Sequence, residues 1–158
     1  MTGAYALLRV RGRMHVKDYT TYAMRVMGLT RKNHCTLLPE DVQSKRMIFK
    51  AKDYITWGAV DEKTVVRLIR ERGRVAGDKK LTDSYVKENS KFKDIPSFAQ
   101  AVAKGEARLK DVKGLKHYFR LNPPKKGFER KGIKVPYKMG GAIGDRADKM
   151  GLLLERMI

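Results

Sequence analysis

The sequence predicts an α+β fold, because strand-like and helix-like segments alternate over residues 1–60. Segment 4–13 has the alternation of a strand, in which successive side chains point to opposite faces. Its apolar face comprises Ala6, Leu8 and Val10. Its opposite face is largely cationic and comprises Leu7, Arg9 and Arg11. We therefore expect a sheet that is covered on one face only.

Helical spacing and a β-branched run predict the next four elements. The apolar residues of a helix over 16–27 are Tyr19, Tyr22, Ala23, Val26 and Met27. Gly28 is a natural stop for this helix, and a strand over 33–38 follows it. A helix over 40–53 and a β-branched, aromatic strand over 54–60 complete the series. This order predicts three strands with two helices on one face.

Residues 61–158 are predicted to form a helical extension of this 1–60 core. A helix over 62–72 has Asp61 as its expected N-cap. Its apolar stripe comprises Val65, Leu68 and Ile69. The opposite stripe, which is either a binding face or a solvated one, comprises Lys63, Arg67 and Arg70. Short helices are predicted over 82–89 and 96–105, and a glycine turn at 140–144 leads to a closing amphipathic helix.

Segment 113–138 is predicted to be an extended basic loop. Lys and Arg recur throughout it, Glu129 is its single acid, and Pro123 and Pro124 exclude a stable helix. Its aromatic residues, which are candidates for stacking on exposed bases, comprise Tyr118, Phe119, Phe128 and Tyr137. We expect this loop to become ordered only against RNA, because its charges repel and it has few core residues.

The charge of the chain favours a polyanionic partner. Thirty-six Lys and Arg residues stand against seventeen Asp and Glu residues, for a formal net charge of +19. This balance favours nucleic acid. A membrane partner is not expected, because no segment approaches the roughly 18 apolar residues of a spanning helix and neither a signal peptide nor a lipidation motif is found. The single cysteine excludes a disulfide within the chain and fits a reducing cytoplasm.

The adjacent pair His34 and Cys35 is the one suggestion of catalysis or metal binding. Neighbours on a strand point to opposite faces, so the two side chains are not expected to act together. Cys35 shares a face with Leu37 and is expected to be a core residue, whereas His34 is either an RNA-contacting or a plain surface residue. We find no catalytic constellation, and we expect no enzymatic activity, no cofactor, no metal and no small-molecule substrate.

Basic and polar residues form several candidate RNA-binding clusters. The physical reason is that each Lys or Arg that neutralises a phosphate releases a condensed counterion. The candidates are Arg9, Arg11, Arg13, Arg31, Lys32, Asn33, His34, Lys45, Arg46, Lys50, Lys52, Arg67, Arg70, Lys116, His117, Arg120, Lys125, Lys126, Phe128, Arg130, Lys131 and Lys134.

Several stretches resemble one known family along nearly the whole chain. They are "YALLRVRG", "MGLTRKNHCTLLPED", "KRMIFKAKDYITWGAVD", "RLIRERGR", the later "LTD" and the turn "GGAIGDR". They resemble the large-subunit ribosomal protein L-thirty family, whose eukaryotic members are called L-seven, in its longer archaeal form.

The resemblance implies a ferredoxin-like β-α-β-α-β core with a three-stranded antiparallel sheet and a helical extension. It implies a non-enzymatic, cytoplasmic constituent of the archaeal large ribosomal subunit, with ribosomal RNA and neighbouring ribosomal proteins as partners. It places the family's basic positions on Arg31, Lys32, Asn33, His34, Lys45, Arg46 and Lys50. The alternative function is that of a general nucleic-acid-binding architectural protein, which would bind duplex DNA and structured RNA equally.

Overall fold

A computed structural model of the protein describes residues 3–158 and confirms a mixed α+β fold. The strands are β1 (Ala4–Arg9), β2 (His34–Pro39), β3 (Ile55–Ala59), β4 (Phe119–Arg120) and β5 (Gly144–Asp145). The helices are α1 (Asp18–Val26), α2 (Val42–Ala51), α3 (Glu62–Arg72), α4 (Asp83–Asn89), α5 (Ile95–Ala103) and α6 (Met150–Glu155). Short 3₁₀ turns lie at Ala76–Asp78, Leu109–Asp111, Tyr137–Met139 and Ala147–Lys149.

The sheet has five strands in the order β4-β2-β1-β3-β5, so the prediction of a three-stranded sheet is wrong. The central strand β1 is antiparallel to both β2 and β3. β4 extends the β2 edge in antiparallel fashion, and β5 extends the β3 edge in parallel. The two outer strands have two residues each, which is too short for the alternation by which a strand is detected in a sequence.

Both faces of the sheet are covered, so the prediction of one open, cationic face is also wrong. Helices α1 and α2 cover one face, where the buried cluster comprises Leu7, Met24, Met27, Leu29, Ile48, Ala51 and Ile55. On the opposite face the β1 residues Ala6 and Leu8 belong to a larger cluster with residues of α3, α5 and α6. The helices that cover this second face of the sheet thus come from residues 61–158, which were predicted to form an extension of the core.

Helix α3 follows its sequence pattern closely. It begins after Asp61 and ends before Gly73, as predicted. Its predicted apolar stripe is buried and its predicted basic stripe is exposed. Gly73 closes the helix where a Cβ atom would lie 2.4 Å from the Ile69 carbonyl oxygen, so a larger residue does not fit there.

Helix α1 departs from its pattern. Ala23, Met24 and Met27 are buried, but Tyr19, Tyr22 and Val26 are exposed. The apolar residues of α1 therefore lie on two sides of the helix, and only one of these sides packs on the sheet.

The basic segment 113–138 is attached to the core, which contradicts the expectation that only RNA would order it. Phe119 and Leu121 are buried in the larger core cluster, and Phe128 packs against that cluster. Arg146, which is itself buried, makes a two-pronged ion pair with Glu129, with nitrogen–oxygen distances of 2.5 and 2.6 Å. Burial of apolar side chains thus offsets the charge repulsion within this segment, together with an Arg–carboxylate pair in the usual bidentate geometry.

Candidate nucleic-acid interface

The topology brings three loops to one end of the sheet. Because β1 is antiparallel to β2 and β3, the end of β1 lies beside the beginnings of the other two strands. The loops 10–17, 27–33 and 52–54 therefore meet there. We define the basic end of the protein as the Arg and Lys residues of these loops together with the last basic residue of α2: Arg11, Arg13, Lys17, Arg31, Lys32, Lys50 and Lys52.

Hydrogen bonds between these loops fix the basic end. Arg11 donates to the Asp53 carbonyl oxygen at 3.1 Å, and its guanidinium lies 4.7 Å from the centre of the Tyr54 ring. Arg13 donates to the Thr30 carbonyl oxygen at 2.9 Å. These side chains thus join the loop after β1 to the loops before β3 and β2.

Arg9 lies beneath the basic end and is not a surface residue. It is 3% exposed, and its guanidinium donates to four carbonyl oxygens, those of Arg11, Gly12, Leu29 and Thr30. Burial lowers the pKa of Arg9, and the nearby Arg13 charge lowers it further. Sequence alternation had predicted Arg9 on an exposed cationic face. Its guanidinium instead donates hydrogen bonds to the two loops that carry the exposed cations.

Arg31 and Lys32 are at the exposed tip of the join between α1 and β2. Asn33 follows them with a positive φ of 63°, a conformation that Asn tolerates better than most residues. Its backbone N–H donates to the Arg9 carbonyl oxygen at 2.9 Å, and its carbonyl oxygen accepts from Leu121 at 3.1 Å. The tip therefore stands on a turn that is hydrogen-bonded to β1 and to the residue that follows β4.

His34 is buried, so its expected exposed position is wrong. It is 6% exposed, and its ring stacks on Tyr118 with the ring centroids 4.8 Å apart and an interplanar angle of 11°. Its Nδ1 lies 3.2 Å from Thr30 Oγ1. Burial lowers the pKa of His34, and the charges of Arg120, Arg31 and Arg9 act in the same direction, against the raising effect of a hydrogen bond that the ring donates to the Gly28 backbone. His34 is therefore neutral at pH 7 and fixes the join from within.

Cys35 is in the core as expected. It lies with Leu37 in the larger buried cluster, and burial raises the pKa of its thiol far above the ordinary value. The thiol is thus inert, and the strand separates it from His34.

A further pair of cations lies next to β2. Arg120 is opposite His34 in the β2–β4 pairing, which brings it to the basic end. Asp78 binds both Lys116 and Arg120, the latter at 3.1 Å, and the hydrogen bond from Lys116 is the main cause of a lowered pKa of Asp78. His117 is exposed, whereas Tyr118 is partly covered by its stack on His34.

Other predicted residues lie away from the basic end. Lys45 binds Glu40 at 2.8 Å near the opposite end of β2, and Arg67 binds Glu71 at 2.9 Å on α3. Arg46 and Arg70 are exposed on α2 and α3. In the later part of segment 113–138 the predicted residues Lys125, Lys126, Arg130, Lys131 and Lys134 are all exposed.

The acidic residues next to the core strands lie mainly at the opposite end of the sheet. Glu40 and Asp41 follow β2, and Asp61 and Glu62 follow β3. Glu40 accepts from Tyr5 at 2.8 Å, and the hydrogen bond from Lys45 is the main cause of its lowered pKa. The cations thus concentrate at one end of the sheet and the carboxylates at the other. This separation can be read from the sequence only once the antiparallel topology is known.

Arg25 is a residue of this region that sequence reasoning missed. With Arg9, Arg13, Thr21 and Thr30 it lines an open cavity of about 400 Å³. The sequence does place Arg25 four residues after Thr21, and this spacing puts both residues on the same side of α1.

Neither a membrane span nor a metal site is found in the part of the chain that the structure describes. No helix there is long and apolar enough to cross a membrane. Likewise, residues 3–158 contain no group of three or more His, Cys, Asp or Glu side chains that could hold a metal ion.

Comparison with known proteins identifies the family. The family model described as "Ribosomal protein L30p/L7e" matches residues 5–55. The large ribosomal subunit protein uL30 of Methanosphaera stadtmanae is 45% identical over 154 residues, which cover 98% of this chain and 99% of the relative. The uL30 proteins of Nanoarchaeum equitans and Methanopyrus kandleri are 43% and 42% identical, over 98% and 94% of this chain and 98% and 100% of their own lengths. The chain therefore belongs to the ribosomal protein L30p/L7e family, which confirms the predicted resemblance.

Proposed function

We propose that the protein is a structural constituent of the large ribosomal subunit, in the cytoplasmic ribosome, and that it binds and stabilises ribosomal RNA. The observation that supports this most directly is the basic end, where exposed Arg and Lys side chains stand on loops that hydrogen bonds join to one another. Its relatives are large ribosomal subunit proteins by name. We assign the protein no catalytic role.

The proposed mechanism is electrostatic binding by a surface that is already in its bound shape. Arg31, Lys32 and Arg13 neutralise backbone phosphates and release counterions. The loops beneath them are fixed by Arg9, so binding loses little conformational entropy. Phosphate contacts of this kind set the position of the protein on folded RNA without reading its sequence.

Other cations from the predicted clusters are proposed to form secondary RNA contacts. They are Lys45, Arg46, Lys50, Lys52, Arg67, Arg70, Arg120, Lys125, Lys126, Arg130, Lys131 and Lys134, which are exposed, and Lys116, which is half-buried. Those of segment 113–138 are attached to the core through Phe128 and Glu129, so they present a fixed surface. His34 and Arg9 are proposed to act from below, by holding the loops.

A double variant tests this function. Arg31→Gln with Lys32→Gln removes two cations from the basic end, and Lys91→Gln with Lys93→Gln removes two exposed cations elsewhere as a matched control. Binding to large-subunit ribosomal RNA is measured over a range of salt concentrations. We expect the first variant to reduce the slope of log affinity against log salt by about two, since each phosphate contact adds about one. Equal effects of the two variants would contradict the proposed interface.

The alternative architectural function is separated by competition. A general nucleic-acid-binding protein would bind duplex DNA and structured ribosomal RNA equally, whereas the proposed function predicts a preference for the ribosomal RNA. The second measurement is co-sedimentation on a gradient, in which the proposed function predicts that the protein is found in the large-subunit fraction. Equal affinity for both nucleic acids and absence from the large-subunit fraction would favour the alternative.

A further inference from the structure

A groove begins beside the basic end, at Met27, and extends toward the opposite end of β2. It runs between the end of α1, the second half of β2, the beginning of α2 and the turn Leu109–Asp111, and has a volume of about 210 Å³. Its apolar lining comprises Val26, Met27, Leu37, Leu38, Met47 and Leu109. This volume holds one or two large apolar side chains, since a cavity of about 150 Å³ already accepts a benzene-sized group.

An exposed apolar stripe on α1 continues the groove. Val26 lines the groove and is 49% exposed, and Tyr22, four residues earlier on the same side of α1, is 71% exposed. Tyr19 is also exposed, one turn further along. An exposed apolar surface that leads into a groove is typical of a protein–protein contact.

The rim of the groove is basic. Arg108 and Lys110 lie along it beside the imidazole of His117, and Arg108 binds Asp41 across the mouth at 3.2 Å. No acidic side chain within residues 3–158 makes an ion pair with Lys110. A partner segment with an Asp or Glu next to a large apolar residue therefore complements the groove: its carboxylate matches Lys110 at the rim, and its apolar side chain matches the lining.

The lining favours protein over RNA as the occupant. The apolar walls inside the groove are aliphatic and thioether side chains, which suit a protein side chain better than a flat base, and the aromatic rings of the region lie at the rim (His117) or outside the groove (Tyr22). The cations of the main proposed phosphate contacts, Arg13, Arg31 and Lys32, are at the other end of the sheet.

We infer that the groove and the Tyr22–Val26 stripe form a docking surface for a neighbouring protein of the large subunit. That protein inserts a large apolar side chain between Val26 and Leu109, and an adjacent Asp or Glu binds Lys110. This inference rests on the proposed function, because it requires the protein to be part of a ribonucleoprotein assembly.

Site-specific photocrosslinking in assembled subunits tests the docking surface. The full-length protein, with a benzophenone amino acid in place of Gln43 at the groove, replaces the cell's own copy. Large subunits are purified and irradiated, and the crosslinked partner is sequenced by mass spectrometry. A second probe in place of Lys32 reports on the basic end. We expect the Gln43 probe to crosslink a protein segment that contains an apolar residue next to Asp or Glu, and the Lys32 probe to crosslink ribosomal RNA.

Charge substitutions in the groove test whether the Gln43 crosslink depends on docking of the partner there. Val26→Glu and Lys110→Glu are expected to reduce the Gln43 crosslink by about tenfold or more, because one places a carboxylate in the apolar groove and the other repels the partner's carboxylate. Val42→Glu is the matched control, since Val42 is exposed on α2 but does not line the groove. An equal loss in all three variants would overturn the inference.

The two probes separate the failure of this inference from the failure of the proposed function. If Lys32 crosslinks ribosomal RNA while the Gln43 probe crosslinks RNA, a second copy of this chain or nothing, the docking surface is wrong and the function stands. If the protein is absent from purified large subunits and Lys32 crosslinks no ribosomal RNA, both are overturned.

Discussion

Arg9 donates a hydrogen bond from Nη1 to the carbonyl oxygen of Leu29 at 2.9 Å, across twenty residues of sequence. The same guanidinium donates to Gly12 at 2.8 Å, so a single buried side chain joins the loop after β1 to the loop before β2. The exposed Arg13, Arg31 and Lys32 stand on these two loops. An internal arginine thus determines the shape of the cationic surface above it.

Replacement of Arg9 is expected to weaken RNA binding without removing a phosphate contact. Arg9→Lys keeps the charge but cannot reach four carbonyl oxygens, since an ammonium group is a point donor and a guanidinium is a planar fork. We expect a loss of about 2 kcal/mol in the free energy of unfolding, measured in urea. RNA affinity should fall while the slope of its salt dependence is unchanged.

Arg13→Gln is the control for this prediction. Arg13 is exposed, so its replacement should change the free energy of unfolding by no more than about 0.5 kcal/mol. It should reduce the salt slope by about one, because a phosphate contact is lost. A reduced slope in Arg9→Lys would show that Arg9 itself contacts phosphate.

His34 is expected to titrate below its ordinary range. Burial lowers its pKa, so the unfolded chain binds a proton at a higher pH than the folded protein does. The contribution of this group to stability is therefore complete above the unfolded value of about 6.5 and is lost as the pH falls through the folded value. A proton NMR titration measures the folded pKa, and a value above 6.5 would contradict the burial.

The matched variant for this titration is His34→Gln. Its free energy of unfolding should fall less steeply between pH 7 and pH 5.5 than that of the unaltered protein, because the titrating group is gone. A steeper fall in the variant would mean that another group is responsible for the pH dependence.

Sequence patterns predicted the core strands and helices but not the layers. Helix α3 was correct in both bounds because an N-cap residue, a terminal glycine and a regular stripe coincide there. β4 and β5 were missed, since two-residue strands have no period. Alternation correctly placed Cys35 with Leu37 in the core. The open sheet face was wrong because the residues that cover it lie far along the chain.

The candidate site shows the same division. Alternation gives the face of a residue but not its depth, so Arg9 and His34 were predicted at the surface although loops close over them. Arg31 and Lys32 were placed correctly at an exposed corner, because a helix stop followed by a strand defines such a corner locally. The polarity of the sheet required the long-range pairing of β1 with β2 and β3.

The ion pair between Glu129 and Arg146 is expected to make stability depend on pH in the acidic range. Burial acts to raise the pKa of Glu129, but the hydrogen bonds and charge of Arg146 outweigh it, so the folded pKa lies below the ordinary value of 4.5. The stabilisation is therefore complete above pH 4.5 and is lost as the pH falls through the folded value.

Glu129→Gln measures this contribution. At pH 7 the variant leaves the buried Arg146 without a carboxylate, and we expect a loss of about 3 kcal/mol in the free energy of unfolding. The difference between the two proteins should shrink below pH 4.5, where Glu129 itself becomes protonated. A difference that stays constant down to pH 2.5 would exclude the ion pair as its cause.

Gly58 is expected to be irreplaceable even by alanine. It lies in β3, opposite Ala6, and a Cβ atom there would be 2.3 Å from the Ala147 carbonyl oxygen and 2.8 Å from the Met150 Cβ. Because a backbone carbonyl cannot move away as a flexible side chain can, Gly58→Ala must displace the turn Ala147–Lys149 from the sheet. We expect a loss of about 3 kcal/mol in the free energy of unfolding, at the upper end of the cost of overpacking.

Gly12→Ala is the control for Gly58→Ala. A Cβ atom at Gly12 would have no neighbour within 4 Å, so this variant should be neutral or more stable by about 0.5 kcal/mol. Hydrogen exchange adds a local measurement, because Arg146 donates its backbone N–H to the Trp57 carbonyl oxygen at 2.8 Å. In Gly58→Ala this amide should lose protection, whereas in Gly12→Ala it should keep it. Retained protection together with unchanged stability in Gly58→Ala would show that the turn does not pack against β3 as described.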